Sequence, residues 1–368
     1  MPNRRRFLQA ALAVGTLPAA MSLSGCGPLI DVLGDACPED PAESGGVDWT
    51  PDVLHPVAAE SREVTEADGA PQAMRIYYPS HAFNDTHRIL KLCLDRWPLV
   101  LFLHGLSPSP PCDSNTPNYL RWRRIPALLA KSGYVVAVPN YNAVVPDANS
   151  PMIDHMLGVI DWLRTSWEDA RWVDKRPTSV AVAGHSFGAL LAARLAQKRP
   201  GMGAFIGLGG SFNQLNTDGH TVLQSLALPS FFMWSNNLDL APFENLDEGG
   251  FWNDVPGPKH AAVHSGGHFD YVPAALSCND PRGECTAIEP VAAELIALFL
   301  ARHMPLARST SNIPINLVPP VVPLTPNQQF YGGGQFPGLE AMKSDRACKG
   351  ITLRWVEDAV TGSRQLGP

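Results

Sequence analysis

Short runs of consecutive apolar residues recur between longer amphipathic stretches from residue 73 to residue 303, and this pattern limits the possible folds more than any other feature of the chain. The runs lie at 73–78, 98–103, 134–138, 179–183, 204–208, 229–234 and 260–263. A strand with one face in water alternates polar and apolar residues, whereas a strand that is apolar at nearly every position is covered on both faces. The intervening spacing predicts helices. One has Met152, Met156, Ile160, Leu163 and Trp167 on one face, with Ser150 as N-cap and Pro151 at the first helical position. Others are expected over 186–198 and 287–303. The fold class that follows is α/β: a mostly parallel central sheet with helices on both faces and right-handed crossovers. In such sheets ligands bind at the carboxyl ends of the strands.

With 368 residues, 45% hydrophobic and 17% charged, the chain has enough apolar material for a large buried core. That excludes an intrinsically disordered chain, a disulfide mini-protein and a collagen-like repeat. The net charge is −7 and no Lys/Arg block occurs beyond the first six residues, so no nucleic-acid partner is expected. After the N-terminus no apolar run approaches the roughly 20 residues that span a bilayer.

The first 26 residues read as an address. A basic start (Arg4, Arg5, Arg6) precedes an apolar stretch from Phe7 to Leu23 and then Ser24, Gly25 and Cys26. Residues 4–9 resemble a twin-arginine export signal, and Leu23-Ser24-Gly25-Cys26 resembles a bacterial lipobox, which makes Cys26 the expected lipidation site. The alternative is a plain secretory signal with an incidental cysteine. On the lipobox reading the mature protein is held in the bacterial cell envelope by acyl chains, each buried CH₂ contributing about 0.8 kcal/mol; otherwise it is extracellular. Removing residues 1–25 takes the net charge from −7 to −10 through loss of the three arginines. Residues 27–70, rich in Gly, Pro, Asp and Glu, read as a tether; 71–304 as the main folded domain; and 305–368 as a Pro/Gly-rich appendage lying over it, with 351–356 as its one candidate strand.

Besides Cys26 the chain has Cys37, Cys93, Cys112, Cys278, Cys285 and Cys348, an even set that an oxidising compartment would pair. Asn279-Asp280-Pro281-Arg282-Gly283 is turn chemistry, so Cys278 with Cys285 is the expected local disulfide. The other pairings stay open, Cys93 with Cys112 among them. No metal-ligand spacing is present, and no cofactor is expected.

Chemistry concentrates at Gly184-His185-Ser186-Phe187-Gly188, between an apolar run and a helical one. A serine on a sharp strand-to-helix turn needs small residues two before and two after it, because a Cβ there would collide. The helix N-terminus aims the Phe187 N–H at an oxyanion. The run 98–103 ends in His104-Gly105-Leu106, where the Leu106 N–H is the second expected donor and His104 orients the loop. Gly266-Gly267-His268-Phe269 follows the run 260–263, which makes His268 the expected general base, with His264 and His260 as alternatives. Asp239, just past the run 229–234, is the expected acid, with Asp247 and Asp218 as alternatives. Phe187, Trp234 and Trp252 are the expected lining of an apolar substrate pocket.

Together these motifs resemble the α/β-hydrolase family over roughly residues 70–303. Within it the chain is similar to the branch of dienelactone-hydrolase-like, platelet-activating-factor-acetylhydrolase-like and chlorophyllase-like esterases, near bacterial cutinases and polyester hydrolases. The chain order serine, acid, histidine fits, although the segment 235–239 departs from the family's tighter Asp spacing. The resemblance implies a Ser186-His268-Asp239 triad that cleaves a small or lipid-like carboxylic ester through an acyl-enzyme. A lipase-like, cutinase-like or polyester-degrading activity is the enzymatic alternative, and a non-catalytic surface binding module is the alternative of another class. Nothing in the sequence bears on oligomeric state.

Overall fold

The computed structural model describes residues 57–65, 71–80, 89, 96–105, 117–141, 151–210, 212, 218–235, 255–264, 267–268, 270–271, 288–304, 353–359 and 362–365. All of these lie in the compact unit Ser44–Pro368. The described strands are β1 (Val57–Thr65), β2 (Pro71–Pro79), β3 (Leu99–Leu103), β4 (Val135–Pro139), β5 (Val180–His185), β6 (Ala204–Leu208), β7 (Ser230–Ser235), β8 (Lys259–His264), β9 (Leu353–Ala359) and β10 (Gly362–Gln365). The described helices are α1 (Asn118–Arg121), α2 (Arg124–Lys131), α3 (Pro151–Thr165), α4 (Phe187–Lys198), α5 (Asp218–Gln224) and α6 (Ile288–His303).

The strands form one sheet in the order β1-β2-β4-β3-β5-β6-β7-β8-β9-β10. Strands β4, β3, β5, β6, β7 and β8 run parallel to one another, while β2 on β4 and β9 on β8 pair antiparallel, as do the edge strands β1 and β10 on them. Strand β5 lies near the middle, with Leu103 opposite Gly184 on one side and His185 opposite Leu208 on the other.

Alternation along each strand divides the core into two layers. Leu99, Leu101, Leu103, Val180 and Val182 pack with α3, α4 and α5. Val100, Phe102, Ala181 and Ala183 pack with α2 and α6 on the opposite face. Both faces of β3, β4 and β5 are buried at every position, which is why these strands read as unbroken apolar runs. The predicted helical face of α3 is present: Met156, Ile160 and Leu163 are buried, and Trp167 continues it past the last turn.

Three segments of the chain differ from the sequence reading. Residues 57–65, placed in the tether, form β1 along the whole length of β2. The strand is inconspicuous because its buried side chains include Glu60, 7% exposed, which accepts from Trp167 Nε1 at 2.8 Å and from Arg62 Nε at 3.0 Å. Helix α2 was not anticipated, and no side chain of its own segment caps it. The carboxylate of Glu289, on α6, accepts the Arg124 and Ile125 N–H groups instead, and burial raises its pKa to about 7. In the C-terminal segment the strand expected at 351–356 runs from Leu353 to Ala359, and β10 follows it; both extend the sheet beyond β8.

Glu60 ties the edge strand to the end of α3. Glu60→Ala leaves the Trp167 indole N–H buried without its acceptor and is expected to cost about 1–3 kcal/mol of unfolding free energy. Urea denaturation followed by Trp fluorescence checks this; a loss below about 0.5 kcal/mol would contradict it.

Candidate active site

The turn between β5 and α4 is the most strained point of the described backbone. Ser186 has φ 53° and ψ −120° and is the one non-glycine described residue with positive φ. This conformation is costly for a side-chain-bearing residue and persists only where its surroundings impose it. The surroundings do so. A Cβ on Gly184 would lie 2.2 Å from the Gly188 carbonyl oxygen, and one on Gly188 would lie 2.3 Å from the Leu103 carbonyl oxygen. Helix α4 therefore starts against bare backbone of β5 and β3. The Ser186 N–H donates to the Leu208 carbonyl at 2.7 Å, which pins the turn to the end of β6.

The loop after β3 passes beside the serine, since a Cβ on Gly105 would lie 2.9 Å from Ser186 Cβ. His104 braces this loop. Its Nδ1 is 2.9 Å from the Gly105 carbonyl and 3.0 Å from Asn118 Nδ2, and Asn118 Nδ2 also donates to the Gly105 carbonyl at 2.8 Å. The ring stacks on Tyr141 with centroids 4.0 Å apart, and Tyr141 Oη donates to the His104 carbonyl. Burial lowers the His104 pKa to about 4, so it stays neutral. Phe187 opens α4, so its N–H is one of the helix's free N-terminal donors.

His268 follows β8, and its ring lies 4.6 Å from that of His185. A Cβ on Gly209, the residue after Leu208, would lie 3.0 Å from His268 Nδ1; Gly209 has φ 51°, and its bare backbone makes room for the ring. The turn carrying His268 is closed by Asp270: Gly267 N–H donates to Asp270 Oδ2 at 2.6 Å, and Asp270 N–H donates to the Gly267 carbonyl at 3.2 Å. His185 Nε2 lies 2.9 Å from the His268 carbonyl, and Tyr271 Oη lies 2.6 Å from His264 Nε2. Neither Asp270 nor Tyr271 stood out in the sequence.

Of the three candidate bases, only His268 is partly exposed, and its ring lies against Gly209 and His185. His264 is fully buried against Tyr271. His260 is the second residue of β8, at the end of that strand opposite His264, with its Nε2 3.0 Å from His303 Nε2. Of the expected pocket aromatics, Phe187 and Trp234 are 1% and 3% exposed and pack in the same core layer as α4. Phe187 begins the helix, and its side chain turns inward with the apolar face of α4. Leu106, Asp239, Asp247, Trp252, Cys26, Cys278 and Cys285 lie outside the described residues, as do Cys93 and Cys112; Asp218 is the first residue of α5. Among the described residues no group of three or more His, Cys, Asp or Glu side chains is placed to hold a metal ion. Among the same residues no helix is long and apolar enough to cross a membrane.

A ferulic acid esterase from Streptomyces cinnamoneus has a similar structure: TM-score 0.51 and 16% identity, covering 69% of this chain and 92% of that one. The chain has the α/β-hydrolase fold. Two Staphylococcus aureus proteins are also similar, each with 49% of this chain and 80% of the other covered: the S-formylglutathione hydrolase FrmB at 15% identity and TM-score 0.35, and the fluorophosphonate-binding serine hydrolase FphF at 16% and 0.37. No family model matches the sequence. No curated protein sequence matches it either.

Within this fold the site offers a hydroxyl on a strained turn, an imidazole over the neighbouring strand end and a helix N-terminus. That set suits nucleophilic acyl transfer. The buried imidazoles also set the acid stability of the chain. In the fold, burial lowers the pKa of His104 to about 4, of His260 to about 3 and of His303 to about 4, and that of His185 falls well below 6.5. The unfolded chain protonates these groups below about pH 6.5, the folded chain does not, and stability falls with pH by up to about 1.4 kcal/mol per unit for each such proton. Glu289 acts in the opposite sense between 4.5 and about 7, because its folded form holds the proton. Four imidazoles outweigh one carboxyl, so urea midpoints are expected to drop from about pH 6.5 to 4.5. Glu289→Gln should steepen the fall; a flat or rising profile in the parent protein would contradict this assignment.

Proposed function

We propose that this protein is a serine hydrolase of carboxylic esters, exported and held in the bacterial cell envelope by a lipid on Cys26. The fold hosts many chemistries, so the reading rests on the site. The observation that carries it is the left-handed backbone of Ser186, walled by Gly184 and Gly188, with the His268 ring seated on Gly209 one residue beyond the carbonyl that fixes Ser186.

In this reading Ser186 Oγ attacks the ester carbonyl while His268 takes its proton. The developing oxyanion is met by the Phe187 N–H and, on the resemblance to the family, by the Leu106 N–H. The tetrahedral intermediate collapses as His268 returns the proton to the leaving alcohol, leaving an acyl-Ser186 ester. Water activated by His268 then releases the acid. Asp239 holds the imidazole tautomer, a role assigned from its place after β7. The basic, apolar and small-residue order of residues 1–26 supports export and lipidation. The turn-forming composition of residues 279–283 supports pairing of Cys278 with Cys285 in the oxidising compartment the protein would reach.

The test combines fluorophosphonate labelling with peptide mapping and a p-nitrophenyl ester series from two-carbon to long acyl chains. Modification confined to Ser186 with parallel loss of turnover is expected, and Ser186→Ala should lower kcat by about 10⁴-fold or more at unchanged thermal stability. A folded wild-type protein that leaves Ser186 unlabelled and turns over no ester would overturn the reading.

A further inference from the structure

His185 is the last residue of β5 and the chain neighbour of Ser186, so the backbone that sets the nucleophile also sets this imidazole. The side chain is buried, with Trp122 at 5.2 Å, Tyr271 at 5.5 Å and His268 at 4.6 Å between ring centroids. It reaches across the site in two directions. On one side Nδ1 faces the loop after β3, where a Cβ on Gly105 would lie 3.0 Å from it. On the other, Nε2 lies 2.9 Å from the carbonyl oxygen of His268, 83 residues further along the chain. A carbonyl can only accept, so His185 is the Nε2–H tautomer and donates this bond.

We propose that His185 is a positioning residue for the base: its Nε2–H, held by the His268 carbonyl, fixes the His268 ring over Gly209 and so its distance from Ser186 Oγ. The inference rests on the reading of Ser186 and His268 as nucleophile and base. Three observations carry it. The bond joins the nucleophile's own strand directly to the base's turn, so the two shift together. The turn has its own closure through Asp270, which shapes it but does not tie it to β5. The ring fills the space between the base and the loop after β3, so a single rigid side chain spaces all three parts of the site. Burial and the nearby His268 also keep His185 neutral, so the donor persists when the base carries a proton and adds no repelling charge beside it.

The test uses His185→Phe, which keeps an aromatic ring and removes the donor, and His185→Gln, which restores an N–H near the position of Nε2. Active sites are counted by fluorophosphonate, and kcat is expressed per titrated site. His185→Phe is expected to lower kcat about 10²-fold with little change in KM, since a misplacement of about 1 Å costs that much. His185→Gln should recover most of this loss. If His185→Phe lowers thermal stability but keeps its kcat per titrated site, the ring is only filler and the proposal fails. ¹⁵N NMR of the wild-type histidines reads the tautomer without any substitution: an Nε2–H His185 supports the proposal and an Nδ1–H His185 overturns it. A wild-type protein that neither labels at Ser186 nor cleaves esters would instead remove the reading on which the inference rests.

Discussion

The whole site depends on one steric constraint, the exclusion of any Cβ at Gly184 and Gly188. Those two glycines let α4 begin in contact with the backbone of β5 and β3, and that contact leaves Ser186 no backbone conformation but a left-handed one. Once the turn is set, the Ser186 N–H reaches the end of β6, the Phe187 N–H lies at a helix terminus, and His185 points across the sheet toward the loop that carries His268. The strand order supplies the rest. With β3 on one side of β5 and β6 on the other, the loop after β3 and the backbone of Gly209 flank the serine from opposite sides.

Burial then separates the histidines by role. His104, His185 and His264 all lie near the carboxyl ends of the strands, and each has less than about one-tenth of its surface in water. Each is held by a named partner: His104 by Asn118 and the Gly105 carbonyl, His185 by the His268 carbonyl and His264 by Tyr271. Burial keeps the His104 and His185 imidazoles neutral, so they orient loops without taking up a proton. His268 is the partly exposed member of the group, and its turn is closed by Asp270.

Much of this was legible in the sequence because the central strands are buried on both faces and the glycines of the turn have no other explanation. The runs at 98–103, 134–138, 179–183 and 204–208 match β3, β4, β5 and β6 within two residues at either end. What was not legible depends on contacts distant in the chain. Strand β1 buries the charged Glu60, whose partner Trp167 lies 107 residues away, and α2 takes its N-terminal cap from Glu289 on another helix. Periodicity alone also does not show that Phe187 and Trp234, placed beside the serine and the expected acid, are buried in the layer with α4. The structure turns both inward.

The most direct test of the account is the rate of fluorophosphonate labelling at Ser186 in Gly188→Ala. The added methyl group would meet the Leu103 and His104 carbonyls at 2.3 and 2.6 Å, so the backbone of β3 or of the turn must shift. The account predicts that labelling slows by about 10²-fold or more, as the serine leaves its position beside the base and the helix N-terminus. A Gly188→Ala protein that folds and labels as fast as the parent would contradict it, because the glycine-walled turn would then not be what sets the nucleophile.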